Sequence, residues 1–203
     1  MILKKIASGI AAGIAVSIGG MVFLSCDSRY VGAALFSVAL VCICLKGYAL
    51  FTGRVGNIPA AHSRDDIQTL LLCLLGNLIG TLCMGLLTRL VLPAIAQAAE
   101  TACQNRLTQT AIQTLARGLM CGMLMYLAVS TYKEKNTIAG ILLCIPTFIL
   151  CGFEHSIADM YYFAASGIVS LRAFGFIWLV IIGNSLGGML LPVLTEKLGA
   201  GKA

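Results

Sequence analysis

The residues able to do chemistry are few and close together. His155 stands between Glu154 and Ser156, four residues before Asp159, at the end of a long apolar stretch. A second polar patch, Lys46 to Thr52, ends another such stretch. Histidine titrates at about pH 6.5 when unperturbed, so His155 can hydrogen-bond a solute or exchange a proton with it near neutrality. Ionisable groups within apolar segments mark functional sites by default, because each is costly to hold there. Glu154 therefore needs a partner, either backbone amides of the adjoining loop or a basic group. Asp159 either caps a short helix or pairs with Lys46, and Lys46 either snorkels to an interface or adds positive potential at a mouth. Ser156 is adjacent to His155 in sequence, which is not the geometry of a nucleophile and its base. The only other histidine is His62, and no Cys/His spacing suits a metal. The sequence has no nucleotide-binding loop. No enzyme, cofactor or metal site is expected.

These groups sit in a chain of 203 residues that is 59% hydrophobic and 11% charged. Soluble domains carry roughly a quarter charged residues. That deficit excludes a disordered chain, a nucleic-acid module and a cytosolic enzyme, and points to an integral membrane protein surrounded by lipid. The net charge of +6 reflects few acids rather than basic clusters. Of the nine cysteines, Cys42, Cys44, Cys73, Cys83, Cys144 and Cys151 lie in apolar runs and read as small hydrophobes.

Charge-free stretches mark six helical spans at 6–26, 30–45, 67–88, 118–132, 136–153 and 173–195. The first is too long for a signal-peptide core and reads as a retained span. The second stops at Lys46-Gly47, before a full crossing. The stretch 160–171 reads as a half-helix plus loop. Tyr161 and Tyr162 read as interfacial anchors. Basic residues orient the chain. With the N-terminus inside, Lys4, Lys5, Arg54, Arg64, Lys133, Lys135, Lys197 and Lys202 are cytoplasmic, against Arg29, Arg89, Arg106, Arg117 and Arg172 outside. Both termini are then cytoplasmic in a multi-pass protein of the cell membrane.

The two halves echo each other. Gly76-Asn77-Leu78-Ile79-Gly80 lies midway along the third span and Gly183-Asn184-Ser185-Leu186-Gly187 midway along the sixth. Each pairs small residues for close helix approach with a buried amide. Leu50-Phe51-Thr52-Gly53 follows the second span, and Gly152-Phe153-Glu154-His155 the fifth. Three spans per half make the repeat inverted, and interruptions at matching places point to a midplane site. The expected fold is all-α, with helices two and five broken, in one transmembrane domain over 1–203. The repeats cover about 1–95 and 105–198.

The segment Gly152-Phe153-Glu154-His155-Ser156-Ile157-Ala158-Asp159-Met160-Tyr161 resembles the signature of the formate/nitrite transporter family. Leu50-Phe51-Thr52-Gly53 is similar to that family's first helix break, and the two Gly-Asn segments to its third and sixth helices. The resemblance implies a homopentamer of aquaporin-like protomers in lipid, each passing a small monovalent anion or its conjugate acid, with no nucleic-acid partner. It implies that His155 is the central pore histidine and that Thr52 faces it. Phe36, Leu40 and Phe148 match the outer constriction and Leu50 the inner one, while Asn184 and Asn77 polarise the site. The sequence departs from the family pattern at Ala49, Gly122, Thr137 and Asp159, and in having a basic Lys46.

Formate and nitrite are the first substrates this suggests, then hydrosulfide, with acetate or lactate further off. His155 either donates its own proton or polarises a relayed one. The alternatives are a neutral-solute channel of aquaporin type and a non-conducting scaffold. Asn57-Ile58-Pro59-Ala60 is a broken likeness of the aquaporin Asn-Pro-Ala element, with no second copy.

Overall fold

A computed structural model describes residues 2–59 and 63–198, all of it helix and connecting loop. His62, Ala60 and Lys202 lie outside the described residues. The helices are α1 (Ile2–Ser25), α2 (Arg29–Lys46), α3 (Phe51–Arg54), α4 (Arg64–Val91), α5 (Pro93–Arg106), α6 (Ala111–Lys135), α7 (Ala139–Leu150), α8 (Ser156–Ser166) and α9 (Leu171–Leu198). A 3₁₀ turn, Val55–Asn57, extends α3. Among the described residues, five helices are long and apolar enough to cross a membrane: α1, α2, α4, α6 and the Leu171–Thr195 part of α9. This is a multi-pass membrane protein.

Local sequence sets the helix ends. Ser63 and Asp66 form a reciprocal cap at the start of α4, and Thr110 and Gln113 do the same for α6. The α2 helix, although long enough to cross, stops because Gly47 takes φ 68°, and the Gly47 and Tyr48 amides fold back on the Cys44 and Ile43 carbonyls. Gly152, at φ 72°, ends α7 in the same way, with the Phe153 amide on the Phe148 carbonyl. The expected fifth span at 136–153 is thereby shortened to the 12 residues of α7, and the chain resumes as α8 after a short extended segment. The half-helix placed at 160–171 begins earlier, at Ser156. One element, α5, has no counterpart in the expected spans. Its polar residues interrupt the charge-free pattern, while Pro93 at its first position and buried Ala99 and Cys103 make it a packed helix.

Two helix pairs form the frame. Lys5 reaches Asp65 at 3.3 Å and Thr69 at 2.6 Å, so α1 and α4 start at the same end. Their contact runs through Gly9 and Gly13 against Gly76, Asn77 and Gly80. In the second pair, Gly118 and Gly122 of α6 meet Gly183, Asn184 and Gly188 of α9, also in parallel. At Gly76 an added Cβ would run into the Ile6 carbonyl and Gly9 Cα, and at Gly187 into the Leu119 carbonyl. Glycine is required because the obstacle is backbone, which cannot rotate away. The short helices cross over between the pairs. Gly56, after α3, packs on Gly188 of α9 and Tyr126 of α6, whereas Tyr161 and Ala164 of α8 pack on Gly20 of α1 and Gly85 of α4.

Gly76→Ala is expected to cost roughly 1–3 kcal/mol through overpacking of the α1–α4 contact. The thermal midpoint in detergent measures this, with Gly175→Ala as a neutral control, since nothing lies within 4 Å of a Cβ there. Equal midpoints for both variants would remove the close-approach argument.

Candidate functional site

Each chain break is held by one buried asparagine. Asn77 Oδ1 accepts the Phe51 amide at 2.9 Å, and its Nδ2 donates to the Gly9 and Ala49 carbonyls, both at 2.8 Å. Asn184 Oδ1 accepts the Ser156 amide at 2.8 Å, and its Nδ2 donates to the Gly118 carbonyl at 2.8 Å and the Glu154 carbonyl at 2.9 Å. Both asparagines are fully buried. Their amide hydrogens go to backbone, so these side chains clamp the breaks instead of facing a solute. Cys73 adds a thiol bond to the Ala49 carbonyl at 2.9 Å. The bonds also fix the register of the two breaks. The residue bracketed by the first clamp is Leu50, and the residue bracketed by the second is His155. Leu50 is thus the counterpart of His155, three places on from the Gly152 that a simple alignment of the two segments sets opposite it.

Both nitrogens of His155 are engaged. Nδ1 accepts the Ala158 amide at 3.2 Å, capping α8, and Nε2 lies 2.8 Å from Thr52 Oγ1. A neutral imidazole carries one proton. With Nδ1 accepting, that proton sits on Nε2 and is donated to Thr52. The ring stacks on Phe148 at 5.8 Å, and Phe148 meets Phe36 edge-on at 6.3 Å.

Two cavities approach this point. One, about 380 Å³, is lined by His155, Phe36, Phe148, Glu154, Asp159 and three arginines, Arg29, Arg106 and Arg117. The other, about 320 Å³, is lined by Leu40, Leu50, Val129, Tyr48, Tyr132, Arg54 and Lys133. Leu40, expected with Phe36 and Phe148 in the outer constriction, therefore lies with Leu50. Thr52 lines neither cavity and joins the Leu50 break to His155. Lys46 is exposed at the end of α2 and lines neither cavity.

Glu154 and Asp159 share a partner that was expected to be a loop charge. Arg106, at the end of α5, donates from Nε to Glu154 Oε2 at 2.9 Å and to Asp159 Oδ1 at 3.0 Å. Gln109 donates to Glu154 Oε1 at 2.7 Å. Asp159 thus pairs with Arg106, not with Lys46, and its Oδ2 is enclosed without a partner among the described residues. Of the two alternatives for Glu154, the basic group holds. Tyr161 and Tyr162 are buried, not interfacial. Tyr161 bonds Thr88 at 3.2 Å, and the Tyr162 ring lies 4.8 Å from the Arg106 guanidinium carbon. The only signal for Arg106 in the sequence is that two acids near His155 need a cation. Nothing local assigns it.

The family model described as formate/nitrite transporter matches residues 1–197. This chain belongs to the formate/nitrite transporter family. Among its relatives, formate-nitrite transporter 2 of Toxoplasma gondii is 29% identical over 80% of this chain. Nitrite transporter NirC of Salmonella typhimurium is 28% identical over 77% of it. The chain spans 40% and 65% of the lengths of these two relatives. The fold matches a solved pentameric formate channel with formate bound, at a TM-score of 0.81 and 23% identity, over 99% of this chain and 98% of that one. A solved ion channel of the same family matches at 0.79 and 23% identity, over 98% of this chain and 89% of that one. Family membership and fold are those of transport channels.

Removing Arg106 from this family member strands two buried carboxylates. Arg106→Met is expected to destabilise by about 3–5 kcal/mol. Adding Glu154→Gln and Asp159→Asn should restore most of the loss. Thermal unfolding of the single and triple variants in detergent tests this, and an unchanged midpoint for Arg106→Met would refute the cluster's structural role.

Proposed function

We propose that this chain forms a membrane channel or transporter in which each protomer passes a small monovalent anion or its conjugate weak acid, with formate and nitrite first and hydrosulfide next. The observation that carries this reading is His155, buried in a clamped break and bonded to Thr52 between two cavities. An anion entering apolar surroundings loses hydration worth several kcal/mol. His155 is the N-cap of the 11-residue α8, so the partial positive charge of that helix N-terminus lies beside it. The rings of Phe36 and Phe148 themselves offer a bare anion no hydrogen-bond donor, whereas a neutral acid passes them at lower cost. His155 and Thr52 supply the polar contact at which the solute can be protonated or polarised. Because Nδ1 is held by the Ala158 amide, the Nε2 proton is the one in play.

The same reading takes the two helix pairs and crossed half-helices as inverted repeats of about 1–95 and 105–198, within one aquaporin-like domain. Five of these protomers would assemble in the membrane, each with its own pore. Arg54 shares a small cavity with Thr69, the residue that Lys5 bonds, which supports grouping Lys5, Arg54 and Lys133 at one end. By the positive-inside rule that end is cytoplasmic, and the His155 cavity opens outside.

Liposomes carrying the purified protein are expected to pass formate and nitrite faster at pH 5.5 than at pH 7.5, if flux follows protonation. His155→Ala should lower that flux by on the order of 100-fold, the low end of general-acid effects. Flux of glycerol without any anion flux would favour a neutral-solute channel instead. Anion flux indifferent to His155→Ala would end the proton-transfer role.

A further inference from the structure

The His155 cavity is lined by three arginines and two acids, leaving one positive charge in excess. Two of the three guanidinium groups are committed. Arg106 is held by Glu154 and Asp159, and its Nη1 also donates to the Ala102 carbonyl at 3.2 Å. Arg29 Nη2 donates to the Ile149 and Leu150 carbonyls at 3.0 and 3.2 Å, at the open end of α7. Gln109 is also committed, to Glu154. Arg117 differs from these. Only its backbone carbonyl is engaged, accepting the Glu154 amide at 3.4 Å, and its half-buried side chain has no hydrogen bond or ion pair among the described residues. Its backbone is tied to the clamp, because the next residue is Gly118, whose carbonyl accepts from Asn184 Nδ2. A cation kept half-buried beside Phe148 and Phe153 without a counter-ion is costly, and an anion in the cavity removes that cost.

We propose that Arg117 is the anion-docking residue of this cavity, and that its planar fork selects anions bearing two oxygens on one centre, such as formate or nitrite, over compact anions such as hydrosulfide or chloride. The proposal rests on reading the chain as an anion channel and names the selecting residue. A guanidinium meets a carboxylate-like pair of oxygens with two parallel N–H bonds, whereas an ammonium offers a point charge without that match. The nearby Glu154 and Asp159 do not repel the anion strongly, since Arg106 and Gln109 hold them.

The test compares wild type, Arg117→Lys and Arg117→Gln in liposomes, with half-saturating concentrations measured for formate, nitrite and hydrosulfide. Arg117→Lys keeps the charge and removes the fork. It is expected to raise the formate and nitrite values about tenfold, as one of two charge-assisted bonds is lost. The hydrosulfide value should move by less than about twofold, because a point charge serves that anion as well. Arg117→Gln should weaken all three. Equal shifts for the three anions in Arg117→Lys, or no shift in either variant, would overturn the selection. Line broadening of isotope-labelled formate by the detergent-solubilised protein gives a readout independent of conduction. Formate binding that is weakened by both substitutions in a protein that conducts nothing would reject the channel reading and keep the docking residue. Absence of formate binding to the wild type would reject the docking residue.

Discussion

A backbone that leaves its helix inside a membrane has no water to satisfy its polar groups, and each one left bare costs several kcal/mol. Asn77 and Asn184 meet that constraint. Each offers one acceptor and two donors, and each uses all three on backbone, two on its own break and one on the neighbouring long helix. The clamp therefore does two jobs. It satisfies the break, and it ties the break to a helix pair. The glycine rows make the second job possible, because Gly9 and Gly118 lie close enough for an asparagine carboxamide on the adjoining helix to reach their carbonyls.

The two clamps are alike in bonding and unlike in what they present. One brackets Leu50 and the other His155, so one presents an apolar side chain and the other a polar one. Thr52, two residues past Leu50, crosses to His155 Nε2, so the apolar break completes the polar one. Engagement of both imidazole nitrogens fixes the ring plane against Phe148 and fixes which nitrogen carries the proton. The Arg106 cluster acts at one remove. It holds Glu154 and Asp159 on either side of His155, and it ties α8 to α5, outside both helix pairs.

Much of this was legible in the sequence for a physical reason. Charge is so scarce that Glu154, His155 and Asp159 stand out against an apolar background, and Gly-Asn at matching places in two spans marks both close approach and a buried amide. The end of α2 followed from Lys46-Gly47, whereas the end of α7 before Gly152 did not, because the charge-free stretch runs on to Phe153. What was not legible depended on partners distant in sequence. Arg106 has the local look of a loop charge, because it follows a polar stretch with no apolar period. Its buried role exists only once α5 packs on α8. Tyr161 and Tyr162 sit near a helix end, as interfacial aromatics do, and only the packing of α8 on α1 and α4 encloses them. Lys46 adjoins a break in sequence, yet it caps the exposed end of α2 beyond the lining of both cavities.

The sequence by itself determined that the chain is a membrane-embedded helical protein, placed the end of α2 at Lys46-Gly47, and singled out His155 as a titratable group in apolar surroundings. Those follow from composition, glycine placement and the cost of burying charge, all of which act locally. Tertiary structure alone decided that His155, not Gly152, is the counterpart of Leu50. It alone decided that Asn77 and Asn184 clamp backbone, and that Arg106 is bound while the Arg117 side chain has no hydrogen bond or ion pair among the described residues. Those are questions of which donor meets which acceptor across helices far apart in the chain. Hydrogen bonds and ion pairs depend on distance and direction, which spacing along a sequence does not specify.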